Sequence, residues 1–158
     1  MGEQGERIRI VTAMVRTAFL VNAAYASSGR EYGLTSQQGQ LLCLLRPKSY
    51  GMGELCTKLG LAKSTTTGLV DILERNGLVK RQIGTPTGRS VQVDLTDSGR
   101  ETADGFYVAT DEKIEALLEP LDGAERDTME ALLGRVVRRD DVSMIFMDVD
   151  GSPTGSQR

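Results

Sequence analysis

The strongest constraint on this chain lies in residues 52–95, where two short helical patterns separated by a glycine turn run straight into two strand patterns. Met52, Leu55, Cys56 and Leu59 recur at i, i+3, i+4 and i+7, one face of a helix that stops at Gly60-Leu61-Ala62. A second pattern begins within Ala62-Lys63-Ser64 and runs to Asn76-Gly77, where glycine supplies a left-handed stop. Residues 78–83 and 89–95 then have strand character, with Val91, Val93 and Leu95 alternating and Gly84-Thr85-Pro86-Thr87-Gly88 as the turn. A helix-turn-helix followed by two strands around a loop tip describes a winged helix.

The flanks read as helices. Residues 6–26 place Arg9, Thr12 and Arg16 at i, i+3 and i+7 and leave most other faces apolar, so this helix has to be buried on more than one side. In a chain of 158 residues, the simplest second surface is another copy. Thr35 with Gln38 forms a capping-box pattern opening a short helix over 35–45, which ends before Pro47. Beyond the strands, Thr96 caps a helix over about 97–118 that stops at Pro120. Asp122 with Glu125 opens a last helix, lined on one face by Met129, Leu132, Leu133, Val136 and Val137.

The expected fold is mainly α with a small β-wing. Its parts are an N-terminal dimerisation helix in 1–33, a winged helix-turn-helix in 34–96, C-terminal dimerisation helices in 97–139 and an acidic tail in 140–158. The tail's Gly-Ser-Pro-Thr-Gly-Ser-Gln-Arg end is expected to be flexible.

Composition narrows the function. The absence of histidine removes the commonest general base and transition-metal ligand, so neither an enzyme, a metal site nor a cofactor is expected. Two cysteines are too few for a disulfide framework, and no uninterrupted apolar run of membrane-spanning length is read from the sequence, which suggests a cytoplasmic protein with no membrane partner. Arg7, Arg9 and Ala23-Ala24-Tyr25-Ala26 mimic a secretion signal, but Arg16 and Asn22 interrupt it. The net charge of −3 hides a polarised chain: residues 46–100 carry nine basic against five acidic side chains, while 101–158 carry six against fourteen. A basic middle suits a nucleic-acid module carried on something that is not one.

Lys63-Ser64-Thr65-Thr66-Thr67-Gly68 is an unusual helix opening, because β-branched residues lose side-chain freedom there. On a 100° wheel, Leu69, Val70, Ile72 and Leu73 share one side, with Thr65 and Thr66 near it; Ser64, Thr67, Gly68, Asp71, Glu74 and Arg75 fall opposite. Outward hydroxyls can bond to bases and phosphates, and a glycine amid them lets backbone approach a groove wall. The plainer reading is an N-terminal cap region, where Ser and Thr are common anyway.

The run from Gly51 to Arg81, followed by Gly88-Arg89-Ser90-Val91-Gln92-Val93-Asp94-Leu95-Thr96-Asp97-Ser98-Gly99, resembles the MarR family of winged-helix transcriptional regulators. The likeness is carried by Ser64, Thr67, Leu69, Val70, Asp71, Leu73, Glu74, Gly77, Leu78 and Val79, then by Arg89, Val93, Leu95, Thr96 and Gly99. The resemblance implies a homodimer on a pseudo-palindromic duplex, its fourth helix in the major groove and its wing in an adjacent minor groove. The residues expected at double-stranded DNA are Lys63, Ser64, Thr65, Thr67, Gly68, Arg75, Arg81, Thr87 and Arg89. Thr87 stands where family wings carry an Asp that could orient Arg89, Gly84 replaces an earlier acid, and Ala62 replaces a capping Ser or Asp.

The resemblance further implies a repressor released by a small aromatic or anionic effector, for which Arg16, Tyr25, Tyr32, Arg46 and Tyr50 could supply charge or aromatic faces. Each also has an ordinary packing role open to it. Cys43 and Cys56 are read as small core hydrophobes, with a redox-responsive regulator as the alternative. A winged helix serving as a protein-interaction module, its basic strip meeting an acidic partner, is the remaining alternative.

Overall fold

The structure is a computed structural model and describes residues 8–84 and 90–138. Among the described residues, six helices and three strands follow in the order α1 (Ile10–Tyr32), α2 (Ser36–Leu44), β1 (Tyr50–Gly51), α3 (Met52–Leu59), α4 (Lys63–Arg75), β2 (Val79–Gly84), β3 (Ser90–Leu95), α5 (Asp97–Ala116) and α6 (Gly123–Val137). The mainly helical fold with a small antiparallel sheet is the one the sequence leads to. Residues 139–158, with the tail's expected flexibility, lie outside the described residues.

Local chemistry sets most boundaries. Thr35 and Gln38 exchange side-chain and backbone bonds at the start of α2, and Asp122 and Glu125 do the same at α6. Gly33 and Gly60 close α1 and α3 in the left-handed conformation that glycine alone enters without strain.

Three expectations need correction. First, α1 starts at Ile10, with Arg9 extended before it, and runs on to Tyr32 instead of ending at Ala26. Packing overrides the weak helix propensity of Ser27-Ser28-Gly29: Ser28 and Gly29 are buried, and a Cβ on Gly29 would overlap the Leu34 carbonyl. Second, the two-residue strand β1 has no periodicity to announce it. It exists because β3 offers an edge, pairing Tyr50 with Val93 and Gly51 with Gln92, so the sheet order is β1-β3-β2. Third, α1 is long and apolar enough, by length and a mean hydropathy of 1.3, to cross a bilayer. Its Ile, Val, Met, Phe, Leu and Ala residues hold the apolar average up across the interruptions at Arg16 and Asn22.

The main core gathers Leu41, Leu42, Leu44 and Leu45 of α2 and its end, Leu55 of α3, Val70 and Leu73 of α4, and Val79, Val93 and Leu95 of the wing strands. A second cluster joins Tyr25, Cys43, Phe106 and Tyr107 where α1, α2 and α5 meet. That junction is close-packed: Gly39 lies so near the Phe106 ring that an added Cβ would overlap it. Lys113 Nζ, 2.8 Å from Glu31 Oε1, adds a tie between α5 and α1.

The outer helices are different. No residue of α6 is buried, and Ile10 (75% exposed) and Phe19 (72%) stand out along α1 together with Val11, Val15 and Leu20. Between α1 and α6 runs an apolar groove of about 700 Å³, lined among others by Ile10, Met14, Met129, Leu132, Leu133 and Val136.

Candidate nucleic-acid interface

Helix α3 turns into α4 through Gly60 (φ 64°), with Leu61 N–H donating to the Cys56 carbonyl at 3.1 Å. The turn throws α4 across the domain surface. Its back is a narrow stripe of Thr66, Leu69, Val70 and Leu73 at i, i+3, i+4 and i+7, all buried. Thr66 meets the interior by donating its hydroxyl to the Ala62 carbonyl at 3.1 Å.

The stripe is narrower than the wheel suggests. Thr65 and Ile72, placed at or near the apolar side by sequence, are both exposed, Ile72 at 38%. Thr66, Leu69, Val70 and Leu73 span only about 100° of the wheel, and Thr65 and Ile72 both fall outside that arc.

Outward, Ser64, Gly68, Asp71 and Arg75 succeed one another at i, i+4, i+7 and i+11, a straight line along the helix. Lys63, Ser64, Thr65 and Arg75 are exposed, and Thr67 and Gly68 are half-buried beside them. An added Cβ at Gly68 would have nothing within 4 Å, so the space above this backbone is open. Ala62 gives α4 no side-chain cap, which leaves the first-turn N–H groups without a protein oxygen from that position. Lys63 has no ion-pair partner among the described residues.

Arg81 is placed differently from the others. It projects from β2 toward α4, where Nη2 lies 2.6 Å from Asp71 Oδ1 and Nη1 pairs with Glu74 Oε2. Its backbone N–H also donates to Glu74 Oε1, at 3.1 Å. The carboxylates raise its pKa against the lowering effect of burial. Sequence reading missed this knot, whose only signal is two acids a helical turn apart followed by an arginine at the strand entry. Thr87 and Arg89 lie outside the described residues.

The five candidate effector residues do not gather in the α1–α6 groove, whose lining includes none of them. Tyr25 is buried against Phe106, with ring centroids 6.1 Å apart, and burial raises its pKa. The Arg46 guanidinium sits 4.0 Å over the Tyr107 ring and 2.7 Å from Asp104. Tyr32 packs edge-on to Phe106. Tyr50 belongs to the winged-helix core, with Lys48 and Lys58 over its ring, and Arg16 is exposed on α1. Tyr25, Tyr32 and Arg46 thus converge on the α1–α2–α5 junction, and Arg16 and Tyr50 stand elsewhere.

Cys43 is 3% exposed, and burial pushes its thiol up to about 12, so reactive thiolate is scarce near neutral pH. Cys56 is half-buried. Among the described residues no group of three potential metal ligands comes together.

A profile of the MarR family matches residues 34–91, the stretch from the end of the α1–α2 turn into the second wing strand. The HTH-type transcriptional repressor YetL of Bacillus subtilis (strain 168) is 30% identical over 110 residues, or 68% of this chain; the chain spans 66% of YetL, just under two thirds. Wild-type apo MarR from E. coli has the same fold at a TM-score of 0.72 and 22% identity, over 84% of this chain and 99% of that one. NadR, solved in complex with 4-hydroxyphenylacetate, shares it at a TM-score of 0.67 and 21% identity, over 87% and 99%. Together with YkoM, an HTH-type transcriptional regulator of Bacillus subtilis (strain 168) that is 30% identical over 105 residues, or 66% of this chain and 68% of YkoM, the profile match places the chain in the MarR family of helix-turn-helix transcriptional regulators.

Proposed function

We propose that this protein is a homodimeric, sequence-specific DNA-binding repressor that acts on a pseudo-palindromic operator in the cytoplasm and is released by a small aromatic or anionic effector. The observation that carries the reading is α4, buried along one stripe and presenting Lys63, Ser64, Thr65 and Arg75 on the other side. An α-helix of this exposure fits a major groove, where hydroxyls and cations meet base edges and phosphates. Dimerisation is supported by the apolar side chains that α1 and α6 leave uncovered. Two copies would set two α4 helices at half-sites about one turn of duplex apart. The same uncovered face could meet lipid by composition alone, but Arg16, two turns into α1, would be costly in a bilayer.

DNA binding should fall steeply with salt in a gel-shift titration. Lys63→Ala should reduce the slope of log affinity against log salt by about 0.9, the signature of one lost phosphate contact. Binding to no duplex, with retention of an acidic protein partner instead, would overturn the reading in favour of an interaction module.

For the effector, the buried rings of Tyr25, Phe106 and Tyr107, with the Arg46 guanidinium over Tyr107, supply an aromatic and cationic environment. NadR's ligand, an aromatic carboxylate, is the first compound to try. Bound to the native state alone, it stabilises by about 2.7 kcal/mol at a hundredfold excess over its Kd, a rise of several degrees in Tm. An unchanged Tm across a panel of phenolic acids would remove small aromatic acids as the effector class.

A further inference from the structure

The outward line of α4 carries a contradiction if it faces DNA. Asp71 lies between Gly68 and Arg75 on that line and is exposed, and Glu74 sits one step around toward the wing. Two carboxylates on a reading surface would meet a polyanion. Like charges brought together at an interface oppose association strongly.

The wing supplies the answer. Arg81 places one outer nitrogen on each acid, at 2.6 Å from Asp71 Oδ1 and in contact with Glu74 Oε2, while Glu74 also accepts the Arg81 backbone N–H. The guanidinium charge is thus matched by two carboxylates inside the fold, which leaves no net positive charge at this point to attract a phosphate. The same bonds pin the root of β2 to the side of α4, which fixes where the wing leaves the helix.

We propose that Arg81 is a positioning residue that offsets the acidic middle of α4 and docks the wing against it, and that it makes no phosphate contact of its own. This rests on the DNA-binding reading above, and it reassigns a residue that the sequence places among the DNA contacts.

The test uses a duplex selected by the wild-type full chain from a random-sequence pool. If the wild type selects nothing, the DNA-binding reading itself fails, separately from this proposal. Given a selected duplex, Arg81→Met should weaken binding about tenfold or more by uncovering two acids. The triple variant Asp71→Asn, Glu74→Gln, Arg81→Met should recover to within about threefold of wild type and keep its salt slope, because no phosphate contact was lost. The double variant Asp71→Asn, Glu74→Gln should bind at least as tightly as wild type.

Three results would overturn the proposal. One is a triple variant as weak as Arg81→Met with the slope reduced by about 0.9, which makes Arg81 a phosphate ligand. Another is a weakened double variant, which makes Asp71 or Glu74 a base reader. The third is an Arg81→Met that binds like wild type. Thermal melting of each variant separates misfolding from lost recognition, and Arg81→Lys, which keeps the charge but cannot fork to both acids, should fall between wild type and Arg81→Met.

Discussion

Phe19→Asp is expected to convert the protein to single chains in solution and to abolish tight operator binding. In an isolated chain Phe19 is 72% exposed, so a carboxylate there should leave the fold and its melting temperature nearly unchanged. Only a partner surface makes the substitution harmful. In a two-fold dimer the change occurs twice, and each copy would bring an unpaired charge into an apolar interface. Loss of about 3 kcal/mol per carboxylate raises the dimer dissociation constant by several orders of magnitude. Sedimentation equilibrium at micromolar concentration reads the mass directly. A Phe19→Asp protein that remains dimeric and binds DNA normally would place the two-fold contact away from α1.

The second large effect is expected at Gly99→Ala. The α5 N-terminus crosses the entry to β2 so closely that an alanine Cβ at 99 would overlap the Leu78 carbonyl, a backbone atom that no rotamer change can move aside. Thr96 draws the same two segments together: its hydroxyl donates to the Gly77 carbonyl at 2.6 Å and accepts the Gly99 N–H at 2.9 Å. Relief requires α5 to lift from the wing root, at about 3 kcal/mol or more. That is a fall in Tm of roughly 10 °C for a chain of this size. The comparison is Gly68→Ala, where the space is open and helix propensity favours alanine, so stability should rise by about 1 kcal/mol. Equal stability of Gly99→Ala and wild type in urea would show that the two segments are less tightly apposed.

What the sequence made legible follows from the range of its signals. Caps and glycine stops act within a few residues, so Thr35, Asp122, Gly60 and Gly77 announced their helix ends without any knowledge of the fold. Periodicity reported the strongly apolar faces, among them Met129 to Val137 on α6. It misjudged Thr65 and Ile72, because a wheel shows which side is apolar but not how wide the surface beneath it is. The end of α1 was lost for a related reason: Ser28 and Gly29 are weak helix formers kept helical by what packs on them. The bond between Arg81 and α4 joins residues seven and ten positions apart across a strand and a helix, and no local pattern encodes that meeting.

Helix α5 is one unbroken rod of 20 residues, roughly 30 Å long, joined at one end to the wing and at the other to the turn that Arg126 fastens to Glu115 and the Leu118 carbonyl. A rod of that length works as a lever. Tilting it by about 10° at the end that carries α6 would sweep the wing end through about 5 Å, close to one pitch of an α-helix. Small readjustments at the α6 end are therefore magnified at the wing end, without any segment having to unfold.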